Sequence, residues 1–207
     1  SIIIPCRNEE RFIEKCLTTI LGNDYPREKM EILVINGKST DRTVDIVTGL
    51  AKKYPCIRLI ENPWMSTPHA LNIGIRAAKG DVIFRMDAHA TYLPSYIPSC
   101  VDHLFKYHAD NVGGALETHT RYVTLMARSI AYVLSHPFGI GNSPFRNAQT
   151  SVKEVDTVAF GCYPRAVFTR IGLFNEALTR SQDIEFNVRL KKSGGKIIMF
   201  PKTVALY

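Results

Sequence analysis

Short apolar runs alternate with helically spaced apolar positions through the first half of the chain. Ser1–Pro5 (SIIIP) is a continuous apolar run, as expected of a strand buried on both faces. Phe12, Ile13, Cys16, Leu17, Ile20 and Leu21 then recur at helical spacing. Glu31–Ile35 reads as a second strand, and Ser39 or Thr40 can cap a helix carrying Val44, Val47, Leu50 and Ala51 on one side. Ile57–Ile60 is a third strand. Thr67-Pro68 opens a helix, with Thr as its cap and Pro in its first turn, and Gly80 closes it. Asp81–Met86 returns as a fourth strand. This βαβαβαβ order predicts an α/β fold with a mostly parallel central sheet flanked by helices.

The second half is less regular. Ile97, Val101, Leu104 and Phe105 predict a helix, and Asn111–Leu116 a strand. Residues 135–153 are rich in Pro, Gly, Asn and Ser and read as a long mobile loop, a candidate lid. Ser181-Gln182-Asp183 precedes IEFNVRLKKSGG, where Ser181 can cap a helix and Lys191, Lys192 and Gly194 suit its end. Ile184, Phe186, Val188 and Leu190 alternate there, which is a strand signal, so the two periods compete. There is no internal repeat, and residues 1–207 read as a single domain.

The net charge of +7 suits a phosphate-rich substrate or an anionic membrane surface. The basic residues are scattered, which disfavours nucleic acid as a partner. Cys6, Cys16, Cys56, Cys100 and Cys162 form no CxxC pair, so they read as reduced core thiols of a cytoplasmic protein. No run is long enough for a membrane span, and no signal peptide is visible. The chain starts inside a strand without an initiator Met, which suggests trimming at its ends; an anchor outside these residues is compatible with that.

In open parallel sheets ligands sit beyond the carboxyl ends of the strands. Arg7-Asn8-Glu9, Asn36-Gly37 and Asp87-Ala88-His89 follow apolar runs and are the candidates. Asp87 follows VIFRM, and a strand-end carboxylate two residues from an imidazole can hold Mg²⁺ or Mn²⁺ with phosphate oxygens completing the shell. Equally, Asp87 can cap a turn beside a surface His89. Asp183, in a helical first turn, can act as a general base or simply stabilise the helix end. Asn36 can pair with a base or ribose, while Asp41 suits helix-end amides. Pro5, Arg7, Asn8 and Glu9 can line the other wall of a nucleotide pocket. No GxGxxG or Walker-type loop is present.

Five segments in order resemble glycosyltransferase family two. SIIIPCRNEERFIEKCL is similar to its first strand and helix, and VINGKSTDRT to its V-D-G-x-S-T-D-x-T segment. HALNIGIRAAKGDVIFRMDAHA, which contains Asn72, resembles the A-x-N-x-G-x-x-x-A-x-G-D-x-I-x-x-x-D-A-D region. AFGCYPRAVFTRIGLFNE resembles the acceptor-side block, and SQDIEFNVRLKKSGGKI the E-D-x-E-x-x-x-R-L-x-x-x-G segment. Asp-Ala-His-Ala and GIGNSPFR bring the bacterial succinoglycan-type exopolysaccharide enzymes nearest. Asn36 stands where the family usually has a base-binding Asp, His89 replaces the last Asp of D-x-D, and Gln182 replaces Glu. The Q-x-x-R-W motif of processive synthases is absent from these residues.

The resemblance implies a GT-A fold and an inverting, metal-dependent transfer of a sugar from a nucleotide diphosphate, with UDP the expected nucleotide. It implies Asp183 as the base, Asp87 and His89 as metal ligands, and Pro5, Arg7, Asn8, Glu9, Asn36, Gly37, Asn72 and Asp87 as nucleotide-side residues. The partners it implies are a nucleotide-sugar donor and a saccharide or lipid-linked saccharide acceptor, with peripheral membrane association allowed at the inner face. A non-catalytic nucleotide-sugar or polysaccharide binding module is the alternative; it would not require Asp87 and Asp183 together. A nucleotidyltransferase would want a glycine-rich loop after the first strand, where this chain has CRNEE.

Overall fold

The computed structural model describes residues 1–117, 126 and 151–206. Its elements are β1 (Ile2–Cys6), α1 (Ile13–Leu21), β2 (Ile32–Asn36), α2 (Thr43–Lys53), β3 (Ile57–Glu61), α3 (Thr67–Ala77), β4 (Val82–Arg85) and β5 (Thr91–Tyr92). They continue with α4 (Tyr96–Lys106), β6 (Asn111–Glu117), β7 (Lys153–Glu154), β8 (Cys162–Pro164), α5 (Arg165–Ile171), α6 (Gln182–Lys192) and β9 (Ile197–Leu206). No helix among the described residues is long and apolar enough to cross a membrane.

The strands form one sheet in the order β3-β2-β1-β4-β8-β6-β9-β5, with β7 also paired to β9. Strands β1 to β4, β6 and β9 run in one direction, and β5, β7 and β8 run against them. The sheet is therefore mostly parallel, with a reversed strand inserted beside β4.

Period-two alternation sends successive strand residues to opposite faces. Ile2, Ile4, Ile32 and Val34 pack with α1, α2 and α4 through Ile13, Leu17, Val47, Tyr96 and Leu104. Ile3, Leu33, Ile35 and Ile83 pack on the other face with α3, α5 and α6 through Leu71, Ile75, Phe168, Phe186 and Leu190. Both faces are covered, which explains why β1 and β2 read as unbroken apolar runs. Helix α3 lies unusually close to β1: a Cβ on Gly74 would come within 2.4 Å of Ile3 Cγ2.

The helix starts differ from the expected caps. Helix α2 begins at Thr43, and Asp41 rather than Ser39 or Thr40 serves its end, accepting from Thr43 N at 3.0 Å. Ser66, not Thr67, precedes α3, and α3 ends at Ala77, before Gly80. Ser181 sits at the N-cap position of α6 with φ 58°, and its side chain makes no capping bond. The strand-like alternation in 184–190 is overridden: the segment is helical, with Phe186 and Leu190 buried and Ile184 and Val188 exposed. Most of the expected loop 135–153 lies outside the described residues, and residues 151–153 lead into β7.

Candidate active site

The carboxyl ends of β1, β2, β3 and β4 open on one cleft of about 290 Å³. Pro5, Arg7 and Glu9 line it from β1, Gly37 from β2, and Asn62, Met65 and Ser66 from the turn after β3. Arg85, Asp87 and His89 line it from β4, and Gln182 from the start of α6.

The first two loops are stitched together. Asn8, with φ 54°, donates its N–H to Ser39 Oγ at 3.0 Å and accepts from Thr40 N at 2.8 Å. Glu9 N donates to Thr43 Oγ1 at 2.8 Å, Glu10 N to Asp41 Oδ2 at 3.1 Å, and Gly37 N to Cys6 O at 2.8 Å. Asn8 thus shapes the wall rather than lining it. Asn36 also stays out of the cleft. It is buried, it donates to both Glu61 oxygens, and its Oδ1 accepts from Ser39 N at 3.0 Å.

Asn72 has a comparable fate. It is buried on α3, donates to Phe174 O at 2.9 Å and Glu176 Oε1 at 2.8 Å, and accepts from Phe174 N at 3.0 Å. Both amide hydrogens and one lone pair of its oxygen are spent on clasping the segment after α5 to α3. Asn72, expected at the nucleotide, is not among the residues that line the cleft.

Asp87 is held through its backbone. Its N–H donates to Tyr92 Oη at 2.8 Å, and its carbonyl accepts from Tyr92 Oη at 3.2 Å and from Cys16 Sγ at 3.4 Å. Burial pushes the Tyr92 phenol well above its ordinary value, so it stays protonated and keeps donating. His89 Nδ1 is 3.1 Å from Glu9 Oε1. That hydrogen bond, helped by Asp87 and opposed by burial, raises the imidazole's pKa.

Arg85 connects the two ends of the site. Its Nη2 is 3.0 Å from Asp87 Oδ1 and 3.4 Å from Asp183 Oδ2, and its guanidinium lies 5.8 Å from the Phe160 ring centroid. Burial would lower its pKa, but Asp183 and Asp87 more than reverse that. Arg85 is the functional residue that sequence reasoning passed over, although a charge inside the apolar run VIFRM is a signal: a buried arginine requires partners. Tyr92, Asn62, Met65, Ser66 and Gln182 carried no such signal.

Asp183 and Glu185 face different ways. Glu185 is bound by Arg189, whose guanidinium also donates to Ile171 O and Leu173 O, while Asp183 meets Arg85, which lines the cleft. Two residues along a helix is a turn of about 200°, so the two carboxylates reach different partners.

The family model for glycosyl transferase family 2 matches residues 1–173. The chain is 32% identical over 215 residues to the dolichyl N-acetyl-alpha-D-glucosaminyl phosphate 3-beta-D-2,3-diacetamido-2,3-dideoxy-beta-D-glucuronosyltransferase of Methanococcus voltae, covering 100% of this chain and 66% of that protein. It is 27% identical over 208 residues to the succinoglycan biosynthesis protein ExoA of Rhizobium meliloti (strain 1021), covering 100% and 62%. The chain thus spans about two thirds or less of the length of these relatives. Among solved structures, S. aureus TarS 1–349 in complex with UDP-GlcNAc superimposes with a TM-score of 0.77 at 15% identity, covering 100% of this chain and 57% of that one. The mannosyltransferase PcManGT from Pyrobaculum calidifontis, in complex with GDP-Man and Mn²⁺, superimposes with a TM-score of 0.75 at 23% identity, covering 100% and 55%. The sheet order, the helices on both faces and these superpositions define a GT-A fold, and the chain belongs to glycosyltransferase family 2.

Proposed function

We propose that this chain is the catalytic domain of an inverting glycosyltransferase that moves a sugar from UDP to a hydroxyl of a saccharide or lipid-linked saccharide. The observation that carries this reading is the pair of carboxylates, Asp87 from β4 and Asp183 from α6, that both meet one buried guanidinium, Arg85, in the wall of the cleft. A module that only binds nucleotide sugars has no need of the second carboxylate. The two relatives, a dolichyl N-acetyl-glucosaminyl phosphate glucuronosyltransferase and a succinoglycan biosynthesis protein, support polysaccharide or glycolipid synthesis as the setting. A lipid-linked acceptor would bring the work to the cytoplasmic face of the membrane, where a net charge of +7 is favourable.

In this reading the nucleotide lies against Pro5, Arg7, Glu9 and Gly37, with its diphosphate toward Asp87. Among the described residues no three His, Cys, Asp or Glu side chains form a cage for a cation. A Mg²⁺ or Mn²⁺ ion that takes most of its oxygens from phosphate and water needs only one or two carboxylates, and Asp87 lines the cleft as one. Such an ion would supply electrostatic stabilisation of the departing diphosphate. His89, whose pKa is raised by its bond to Glu9, borders that position, and it joins as a ligand in its neutral form. Asp183 takes the proton of the acceptor hydroxyl as its oxygen attacks the anomeric carbon from the side opposite the diphosphate. The new C–O bond forms as the bond to phosphate breaks and its electron pair leaves with the diphosphate.

The test is calorimetric titration with UDP and GDP, each with Mg²⁺ or Mn²⁺. UDP is expected to bind only with metal and more tightly than GDP. Asp87→Ala is expected to abolish this binding without unfolding the chain, and His89→Ala to weaken it less. No affinity for either nucleotide in the presence of metal removes the reading, and tighter binding of GDP corrects the nucleotide.

A further inference from the structure

Asp183 lies in the first turn of a helix that starts without a side-chain cap, with Ser181 in the left-handed region. What touches that carboxylate is Arg85, at the end of a central strand. Arg85 is in register with Ile3 of β1, and its N–H donates to Gly161 O at 2.9 Å. Its backbone is therefore fixed between β1 and the segment before β8.

The Arg85–Asp183 pair is an open fork. Arginine and carboxylate normally close two parallel bonds. Here only Nη2 meets Oδ2, and that same nitrogen is shared with Asp87 Oδ1. Arg85 Nε and Asp183 Oδ1 are both buried, and neither has a hydrogen-bond partner among the described residues. An unmade bond on a buried polar atom costs about 1–3 kcal/mol, so two on one pair call for an explanation. The carboxylate is therefore held by one oxygen and one nitrogen, and its orientation depends on Arg85.

We infer that Arg85 is a positioning residue for the transfer: its contact with Oδ2 fixes how the Asp183 carboxylate is turned toward the acceptor hydroxyl. The inference rests on Asp183 being the base. An aspartate has two equivalent oxygens that exchange places by rotation of its last torsion, and an anchor on one oxygen fixes that torsion.

The experiment is a double-mutant cycle on Arg85 and Asp183. It reads UDP release from UDP-glucose, UDP-galactose and UDP-N-acetylglucosamine with Mn²⁺, with water as acceptor. Arg85→Lys keeps the charge and loses the planar fork, and is expected to lower kcat about 10–100-fold with KM for the UDP-sugar within about threefold. In an Asp183→Asn background the same change is expected to cost less than about twofold, because Arg85 acts through Asp183. Losses that multiply in the double variant overturn the inference while leaving Asp183 as base. Wild-type release by Asp183→Asn alone overturns the base and the inference with it. Arg85→Gln replaces Arg85→Lys in the cycle if the lysine variant does not fold by circular dichroism.

Discussion

Asn36 and Glu61 stand opposite each other in register at the ends of β2 and β3, and Asn36 Nδ2 donates to the two Glu61 oxygens at 3.0 and 3.1 Å. This accounts for an amide, and not a carboxylate, at position 36. A second carboxylate there would face the first across a hydrogen-bond distance. Asn36→Asp is expected to destabilise the fold by about 1–3 kcal/mol, through the lost bond and like-charge repulsion at a buried position. Adding Glu61→Gln should recover most of that loss. Thermal unfolding of the single and double variants measures both, and an unchanged melting temperature in Asn36→Asp would show that the pair carries no strain.

Asp183→Asn keeps size and most hydrogen bonding but cannot accept a proton. Transfer is expected to fall by about 10²–10⁴-fold, the usual worth of general-base catalysis. Glu185→Gln is expected to retain most of the rate and to lose some thermal stability, because Glu185 serves Arg189 instead of the cleft. Rates and melting curves of the two variants, measured side by side with one donor, decide the assignment. A larger rate loss in Glu185→Gln would reverse it.

Tyr92→Phe removes the hydroxyl that accepts from Asp87 N and donates to Asp87 O. The expected cost is about 1–3 kcal/mol of stability, from an unsatisfied buried amide. Metal-dependent UDP affinity should weaken with it, since the Asp87 peptide loses its clamp. Calorimetry at a temperature where the variant is fully folded separates the two effects. Wild-type affinity there would mean that Asp87 needs no clamp.

Alkali should unfold this protein through its buried thiols. Burial pushes Cys6 up to about 12 and raises Cys16 and Cys162 as well. A raised folded-state pKa favours the native state fully below the ordinary thiol value of about 9, and that contribution is lost as pH climbs toward the folded value. The melting temperature is therefore expected to fall between about pH 9 and 12, and Cys6→Ala to flatten the fall. At pH 8 iodoacetamide should modify half-buried Cys56 ahead of the four buried thiols, as peptide mapping would show. Early loss of Cys6 would contradict this.

The strands and most site positions were legible because each depends on local pattern. Apolar runs followed by polar residues place Pro5, Arg7, Glu9, Gly37 and Asp87 at strand ends, and the structure brings these to one cleft. Contacts across long stretches of chain were not legible. Asn72 meets Phe174 102 residues away, and nothing in HALNIG says that its amide is spent there. The Asn36–Glu61 bond depends on the register of β2 against β3, which periodicity leaves open. The strand signal in 184–190 failed because the helix leaves Ile184 and Val188 exposed. The charge in VIFRM was visible, but its partner comes from α6.

The sheet order also sets the sequence of events in folding. Strands β3, β2, β1 and β4 are neighbours in space and all fall within residues 2–85, so this half can assemble from nearby chain. Strand β8 must return from residues 162–164 to lie against β4, and α6 follows later still. Closing loops of that length is entropically costly, so the later pieces dock onto a preformed platform. On the function proposed above, a nascent chain would therefore acquire its nucleotide wall before its base. Until α6 arrives, Arg85 has Asp87 as its carboxylate partner, and the partly synthesised chain would hold a nucleotide without transferring its sugar.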